Sequence, residues 1–196
     1  PLQPLKDVDH SLWSCDEHIK FLGAGKKVLL EEYEIDYLYS IYKALYPNMQ
    51  TKIDEMRMFV THHSRLESWG QIWGSSNSSS RSSSFIIAAW CGLNGRLVDD
   101  VVLRSGVVLT YFKQYMLDHR NVTVPRIFAK VDWFERHPEK HLGYPIEVYC
   151  KNSCESSGPA NYIPFNRIHS QFIGRAYTLN DENVLCVCPT MLQHHV

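Results

Sequence analysis

RIFAKVDWF, residues 126–134, is the stretch that decides the fold. β-Branched and aromatic residues make up most of it, and the alternation of an extended chain places Val131 and Trp133 on one face and Asp132 and Phe134 on the other. Further short apolar runs, separated by Gly, Pro or Asn, predict additional strands. These runs are residues 85–90, 107–112, 146–150, 161–164 and 184–188. Short strands at such close intervals predict a partly closed barrel or a strongly bent sheet.

The first part of the chain has a different period. Apolar residues recur at three- and four-residue spacing over residues 28–46, which predicts an amphipathic helix that ends at Pro47. A weaker pattern of the same kind predicts a second helical segment over residues 53–73. We therefore predict an α+β fold in which an N-terminal helical segment packs on a C-terminal small, partly closed β-barrel.

A serine-rich stretch separates these two kinds of sequence. Residues 74–84 contain eight serines, a composition typical of a flexible loop. The predicted organisation is an N-terminal arm and helical segment over residues 1–74, a Ser-rich loop over 75–84, and a β module over 85–196.

Composition limits the functional classes. The 196 residues are 44% hydrophobic and 21% charged, which is ordinary for a folded domain, and the formal net charge is -1 from 20 basic and 21 acidic residues. Coating of nucleic acid through bulk positive charge is therefore excluded, and any nucleic-acid site has to be a local patch. The chain has no apolar run of membrane-spanning length and no secretory leader pattern, so we expect an intracellular protein without a membrane partner.

The cysteines and histidines leave one metal site open. Cys150 and Cys154, Cys186 and Cys188, and the histidines at 194 and 195 would supply enough sulfur and nitrogen donors for a tetrahedral zinc site. The paired Cys-x-x-Cys spacing of zinc knuckles is absent, and cysteines inside apolar strands usually behave as small buried side chains. We predict reduced thiols, no bound metal and no cofactor.

Catalytic residues are not evident in the sequence. His62-His63-Ser64, Asp99-Asp100, and Asp132 with Glu135 could contribute to a metal or acid–base site, but no spacing brings them together. We predict no catalytic site, with a metal-dependent nuclease or recombinase-associated domain as the enzymatic alternative.

A family resemblance covers roughly residues 100–190. Residues 127–139, IFAKVDWFERHPE, resemble the core strand of bromo-adjacent homology (BAH) domains, in which a strand ends in a Trp-Phe pair followed by Arg and Pro. Residues 106–112 look like the opening strand of that family, and residues 163–168 look like its closing strand. The overall pattern is also similar to proteins of animal mobile elements, with a Trp-Gly-Ser segment and a Ser-rich loop. The resemblance implies a nuclear, non-enzymatic domain that binds chromatin or DNA.

The same resemblance suggests an aromatic ligand site. A BAH-like module would enclose a methylated lysine of a histone tail between aromatic faces. The aromatic residues proposed for this site are Tyr111, Trp133, Tyr149 and Tyr162. Packing in the core is the alternative, because large aromatic side chains usually dominate cores.

Basic residues near serines, turns and strand ends are candidates for contacts with DNA or nucleosome phosphates. They are Arg81, Arg104, Arg126, Lys130, Arg136 and Arg167. A solvated surface without a ligand is the alternative for each of them. The tyrosine-rich predicted helix is a further candidate, either for self-association or for a protein partner, and a protein-interaction module without a nucleic-acid role stays open.

Overall fold

The computed structural model describes residues 18–45, 52–78, 81–89, 103–117, 122–140, 142 and 146–189. This part of the chain contains one α-helix, α1 (Glu32–Leu45), and twelve strands. The strands are β1 (Ile19–Leu22), β2 (Lys26–Leu29), β3 (Phe59–His63), β4 (Arg65–Ser68), β5 (Gln71–Gly74), β6 (Phe85–Ala89), β7 (Leu103–Leu117), β8 (Thr123–Arg136), β9 (Glu147–Glu155), β10 (Tyr162–Pro164), β11 (Ile168–Leu179) and β12 (Glu182–Pro189). None of the described helices is long and apolar enough to cross a bilayer.

Two antiparallel sheets contain these strands. The smaller has the order β1-β4-β5, and the larger has the order β10-β8-β9-β12-β11-β6-β7-β3-β2 with an additional pairing of β7 with β8. The additional pairing joins β7, β8, β9, β12, β11 and β6 into a ring of hydrogen-bonded strands, from which β3 and β2 continue outward. Register shifts in the β7–β8, β8–β9 and β6–β11 ladders bend the strands, as bulges do. The described chain is thus mostly β, with one N-terminal helix and a β-rich C-terminal portion.

Three of the four apolar clusters in the described residues fill the space between these layers. The first lies between α1 and one face of the large sheet and includes Leu38, Tyr42 and Phe112. The second lies between the small sheet and the opposite face, and it contains Trp73 and Trp133. The third surrounds stacked Phe85 and Phe172, with Phe134, Tyr149 and Leu185 beside them. Both faces of β7 and β8 are buried, which explains their long runs of strand-forming residues.

Helix α1 begins after Glu31, to which the Glu34 side chain reaches back as in one half of a capping box. The Glu34 carboxylate accepts the backbone N–H of Glu31 at 3.1 Å, and the Glu34 and Ile35 N–H groups donate to the Glu31 carbonyl. The predicted helix over residues 28–46 is confirmed for residues 32–45. The prediction is wrong for its first residues, because Val28 and Leu29 belong to strand β2, which pairs with β3.

The second predicted helix, residues 53–73, is wrong. After a 3₁₀ turn at Ile53–Glu55 this segment forms β3, β4 and β5. The last two strands meet at a tight turn in which Trp69 has φ 54° and Gly70 has φ 76°. Strand pairing outweighed the weak helical period here, because β3 gains partners on both sides from β2 and β7.

All six strands predicted from the short apolar runs are confirmed in the described residues, as β6, β7, β8, β9, β10 and β12. Strand β11 was not predicted. Its polar and half-exposed residues lack a continuous apolar run, and it is specified by pairing with β12 along its length and with β6 at its start.

The serine-rich segment is more ordered than its composition predicts. The Ser76 N–H donates to the Val108 carbonyl at 2.7 Å, and Asn77 donates to the Leu109 carbonyl at 3.4 Å, so the start of the segment is attached to β7. Its end forms a 3₁₀ turn at Arg81–Ser84, whose Ser83 carbonyl accepts a hydrogen bond from Gln171. Residues 79 and 80 lie outside the described part.

Candidate nucleic-acid interface

Three of the basic residues predicted to contact phosphate lie in ion pairs. Arg104 Nη1 is 2.7 Å from Glu155, Lys130 Nζ is 2.7 Å from Glu34, and Arg136 Nη2 is 2.6 Å from Glu147. The Arg104 guanidinium also donates to the Phe134 carbonyl. Binding a phosphate through any of these side chains would require an existing ion pair to break.

Two of the other three predicted basic residues are not exposed. Arg167 is buried in a 3₁₀ turn, and Arg126 is half-buried on β8. The side chain of Arg81 lies outside the described residues. Of the five predicted residues whose side chains are described, only Arg136 is exposed, with 63% of its side chain accessible.

The four aromatic residues predicted to line a ligand site belong to the core. Tyr111, Trp133 and Tyr149 are 0% exposed and Tyr162 is 2% exposed. Their polar tips are also occupied: Trp133 Nε1 donates to the Ala160 carbonyl at 2.8 Å, and Tyr111 Oη donates to the Gly74 carbonyl at 3.0 Å. The predicted cage of exposed rings is wrong, because all four side chains are buried, and the cations over the Trp133 and Tyr162 rings are those of Arg104 and Lys130 of the chain itself.

The cysteines predicted as possible zinc ligands lie on β9 and β12. Cys150 is paired with Val184, and Cys186 is buried beside Val148. Burial raises the pKa of the Cys186 thiol, and burial together with nearby Asp132 and Glu135 raises that of Cys154 against the opposing effect of Arg104. In the described part of the chain, no three His, Cys, Asp or Glu side chains are grouped as metal ligands. The histidines at 194 and 195 lie outside it.

The residues considered for catalysis are also separated. His62 and His63 point to opposite faces of β3: His62 contacts Phe112 and His63 stacks on Phe21 at 4.1 Å. Burial lowers the pKa of both histidines. Burial raises the pKa of Asp132, and residues 99 and 100 lie outside the described part.

A surface that the sequence interpretation missed lies on β2, β3 and β7, where Lys27, Phe59 and Thr61 are exposed and Lys113 and Tyr115 are half-buried. Lys27 is paired with Thr61, and the ladder that pairs His63 with Tyr111 continues toward Lys113 on β7. Alternation places Lys27, Phe59, Thr61, Lys113 and Tyr115 on the face opposite α1. We call these five residues the β2–β3–β7 face.

Three cations lie over aromatic rings at this face or its border. Lys27 Nζ is 4.9 Å from the centre of the Phe59 ring, and Lys113 Nζ is 5.8 Å from that of Phe21 on β1. The Arg57 guanidinium is 4.1 Å from the centre of the Tyr115 ring. Phe59 is nevertheless 55% exposed, so most of its surface remains open to solvent.

The charged side chains among the five residues of the face are both positive. None of the five residues of the face is acidic, and Arg57 at its border adds a third cation. His63 adds no charge near neutral pH, because burial and then the neighbouring Lys113 lower its pKa below the usual value of 6.5. The surface can therefore attract an anion while presenting aromatic rings.

The space beside Gly25, the residue before β2, is filled by side chains of β3. A Cβ atom at Gly25 would lie 2.3 Å from Thr61 Cγ2 and 2.6 Å from His63 Cε1, so no larger residue fits there without a shift of these neighbours.

The comparisons with known proteins give no match. No family model, curated protein or solved structure matches the chain significantly. The functional interpretation therefore rests on the residues themselves.

The sequence does contain a signal for this surface. Phe59 and Thr61 are two residues apart, and so are Lys113 and Tyr115, which is the spacing of one side of a strand. Because residues 28–46 and 53–73 were predicted as helices, that spacing was not interpreted as a shared face.

Proposed function

We propose that this chain is a non-enzymatic nucleic-acid-binding module of a nuclear or mobile-element protein, and that it binds through the β2–β3–β7 face. The observation that carries the proposal is the grouping of three cation–aromatic contacts around one face of β2, β3 and β7. Lysine and arginine supply contacts to phosphate oxygens, and the sheet holds them in a fixed arrangement.

The resemblance to BAH domains supports the same class of function. In this proposal the ring of β6, β7, β8, β9, β12 and β11 is the small, partly closed barrel of a BAH-like module. Strands β2 and β3 extend the sheet beyond that ring and form the contact surface for DNA or nucleosomal DNA. The family assignment stays a prediction.

Salt dependence tests the phosphate contacts. Each phosphate neutralised on B-DNA contributes about -0.9 to the slope of log K against log salt, so three contacts predict a slope of about -3. Binding of purified protein to duplex DNA and to nucleosomes should be measured by fluorescence anisotropy at several salt concentrations. Replacing Lys27, Arg57 or Lys113 by Ala should each reduce the steepness of the slope by about 1.

A matched control is available on other strands. Lys151 on β9 and Arg175 on β11 are exposed basic residues outside the face, and replacing both by Ala removes two positive charges. This control variant should keep the parental slope. Equal losses in the control and the face variants would show that only net charge matters, and absence of binding at low salt would refute the proposal.

A protein partner is the second candidate function. Strand β2 ends the order of the large sheet, and Leu29 and Met58 beside it are each 52% exposed. An edge strand with apolar neighbours can pair with an added strand. The predicted partner surface on α1 has less support, because Leu38, Ile41 and Tyr42 are buried. Among the large apolar side chains described on this helix, only that of Tyr33 is strongly exposed.

A further inference from the structure

We infer that the β2–β3–β7 face takes single-stranded nucleic acid, with unpaired bases stacked on Phe59 and Tyr115 and phosphates held by Lys27, Arg57 and Lys113. The inference rests on the proposed function and specifies its ligand. It follows from the aromatic part of the face, which phosphate binding alone does not need.

The two rings come from neighbouring strands. Gln114 Nε2 donates to the Arg57 carbonyl at 3.0 Å, so β7 stays adjacent to the start of β3 beyond the paired residues His62 and His63. The Arg57 guanidinium reaches across to Tyr115 at the same place. Adjacent strands lie about 4.8 Å apart, so Phe59 and Tyr115 are close enough to receive successive bases of one strand.

A duplex would leave these rings unused. Its bases are stacked on each other and only its backbone and groove edges reach a flat protein surface. An unpaired strand exposes the π face of every base, and aromatic side chains receive those faces without regard to sequence. The 55% exposure of Phe59 is therefore explained by a single strand and not by a duplex.

The lysine that now covers Phe59 does not block this mode. An exposed cation–π contact favours its closed form by only about 2- to 5-fold, whereas stacking of one base on an aromatic side chain changes affinity by about 5- to 150-fold. A base would displace Lys27 Nζ from the ring, and the flexible lysine stem would allow the ammonium group to contact a neighbouring phosphate. A base that stacks on Tyr115 would in the same way displace the Arg57 guanidinium, whose planar edge can then pair with a neighbouring phosphate.

The experiment compares three labelled probes with the intact chain. They are a thymine oligomer of about 12 nucleotides, within the range that one binding module covers, its duplex with the complementary strand, and an abasic oligomer of equal length. Affinities are measured by fluorescence anisotropy at one low salt concentration. We expect the thymine oligomer to bind at least about 10-fold more tightly than the other two, because only it offers unpaired bases.

Substitutions separate stacking from charge. Phe59→Leu keeps an apolar side chain but removes the aromatic face, and it should weaken binding of the thymine oligomer by about 5- to 150-fold without changing binding of the abasic oligomer. Lys27→Ala should weaken all three probes. The matched control is Tyr177→Leu on β11, where Arg175 lies over the Tyr177 ring at 5.7 Å, and it should have no effect. Thermal unfolding of each variant checks that the fold is retained.

The outcomes distinguish the two proposals. If duplex and single strand bind equally, and Phe59→Leu has no effect while Lys27→Ala weakens binding, the single-strand inference is overturned and the proposed function stands. If none of the probes binds at low salt, both fail. A selective loss of the thymine oligomer in Phe59→Leu supports both.

Discussion

The buried ion pair between α1 and the large sheet gives the sharpest prediction for stability. Glu34 Oε1 accepts hydrogen bonds from Lys130 Nζ at 2.7 Å and from Tyr162 Oη at 2.6 Å. The Glu34 side chain is 9% exposed and that of Lys130 is 24% exposed. Replacing Glu34 by Gln keeps the size and the hydrogen-bonding end of the side chain but leaves the Lys130 ammonium without a counter-charge.

The expected cost is large. Removing one partner of a fully buried pair costs about 3–5 kcal/mol, and the partial exposure of Lys130 reduces this to about 2–4 kcal/mol. A small domain has about 5–15 kcal/mol of unfolding free energy in total, so the loss is measurable in a urea titration followed by tryptophan fluorescence. Lys130→Met should cost a similar amount, because it leaves the Glu34 carboxylate buried beside an uncharged neighbour.

The effect of pH on the same pair has a definite sign. Burial raises the pKa of Glu34, but hydrogen bonds from Lys130, Tyr162 and the Glu31 N–H outweigh burial and hold it below the usual 4.5. A carboxyl whose pKa is lowered by folding stabilises the protein above the unfolded-state pKa and loses this effect as pH falls through the folded-state pKa. The difference in unfolding free energy between the parent and Glu34→Gln should therefore shrink below pH 4.5.

A combined variant provides the control. Replacing Glu34, Lys130 and Tyr162 together by Leu, Met and Phe removes both charges and the hydroxyl, so no buried group is left unpaired. It should be more stable than either single charge variant by about 1 kcal/mol or more. The reasoning is refuted if Glu34→Gln changes the unfolding free energy by less than about 0.5 kcal/mol, the level of an ordinary surface substitution. Nucleic-acid affinity of folded Lys130→Met should equal that of the parent, contrary to the phosphate contact predicted for this lysine.

Two further predictions concern packing and thiol reactivity. Gly106→Ala would place a methyl group 2.7 Å from Val131 Cγ1 and 2.9 Å from the Trp133 ring, so we expect a loss of about 1–3 kcal/mol in urea unfolding, and unchanged or higher stability would contradict it. Exposed Cys188 should react with iodoacetamide before half-buried Cys154, whose thiol pKa is raised by burial and nearby carboxylates. Peptide mass spectrometry after partial labelling checks the order, and earlier labelling of Cys154 would count against it.

The strands of the β-rich portion could be predicted because their own residues specify them. The run at β8 has strand-forming residues on both faces, and both faces are buried in the structure. The helix was predicted for the same reason, since Leu38, Ile41 and Tyr42 repeat with helical spacing and all three are buried. In these segments local preference and tertiary environment agree.

The segments whose secondary structure was predicted wrongly have weak local preferences. Residues 53–73 contain apolar residues that fit a helical face or strand alternation almost equally well, and only pairing with distant strands decides between them. Residues 28–31 continue the helical period, yet β2 pairs with β3 and the Leu30 N–H donates to the Met58 carbonyl at 2.8 Å. Neither pairing is visible from a window of neighbouring residues.

The exposure of the predicted binding residues could not be predicted for another reason. Sequence identifies a side chain as basic or aromatic, but whether it is available depends on its neighbours in space. Arg104 is paired with Glu155, 51 residues away, and Tyr162 with Glu34, 128 residues away. Tyr162 is buried and Arg104 is half-buried against its partner, and neither property can be predicted from neighbouring residues.

By itself, the sequence determined the ordinary folded composition, the absence of a bulk positive charge, the position of the main helix and the principal strands. Those properties depend on residue type and short-range spacing. The tertiary structure alone decided that β7 closes a ring with β8, that the predicted aromatic residues are core, and that Lys27, Phe59 and Tyr115 share one face. These features depend on strand register between distant segments, and a register sets which side chains meet and which face solvent.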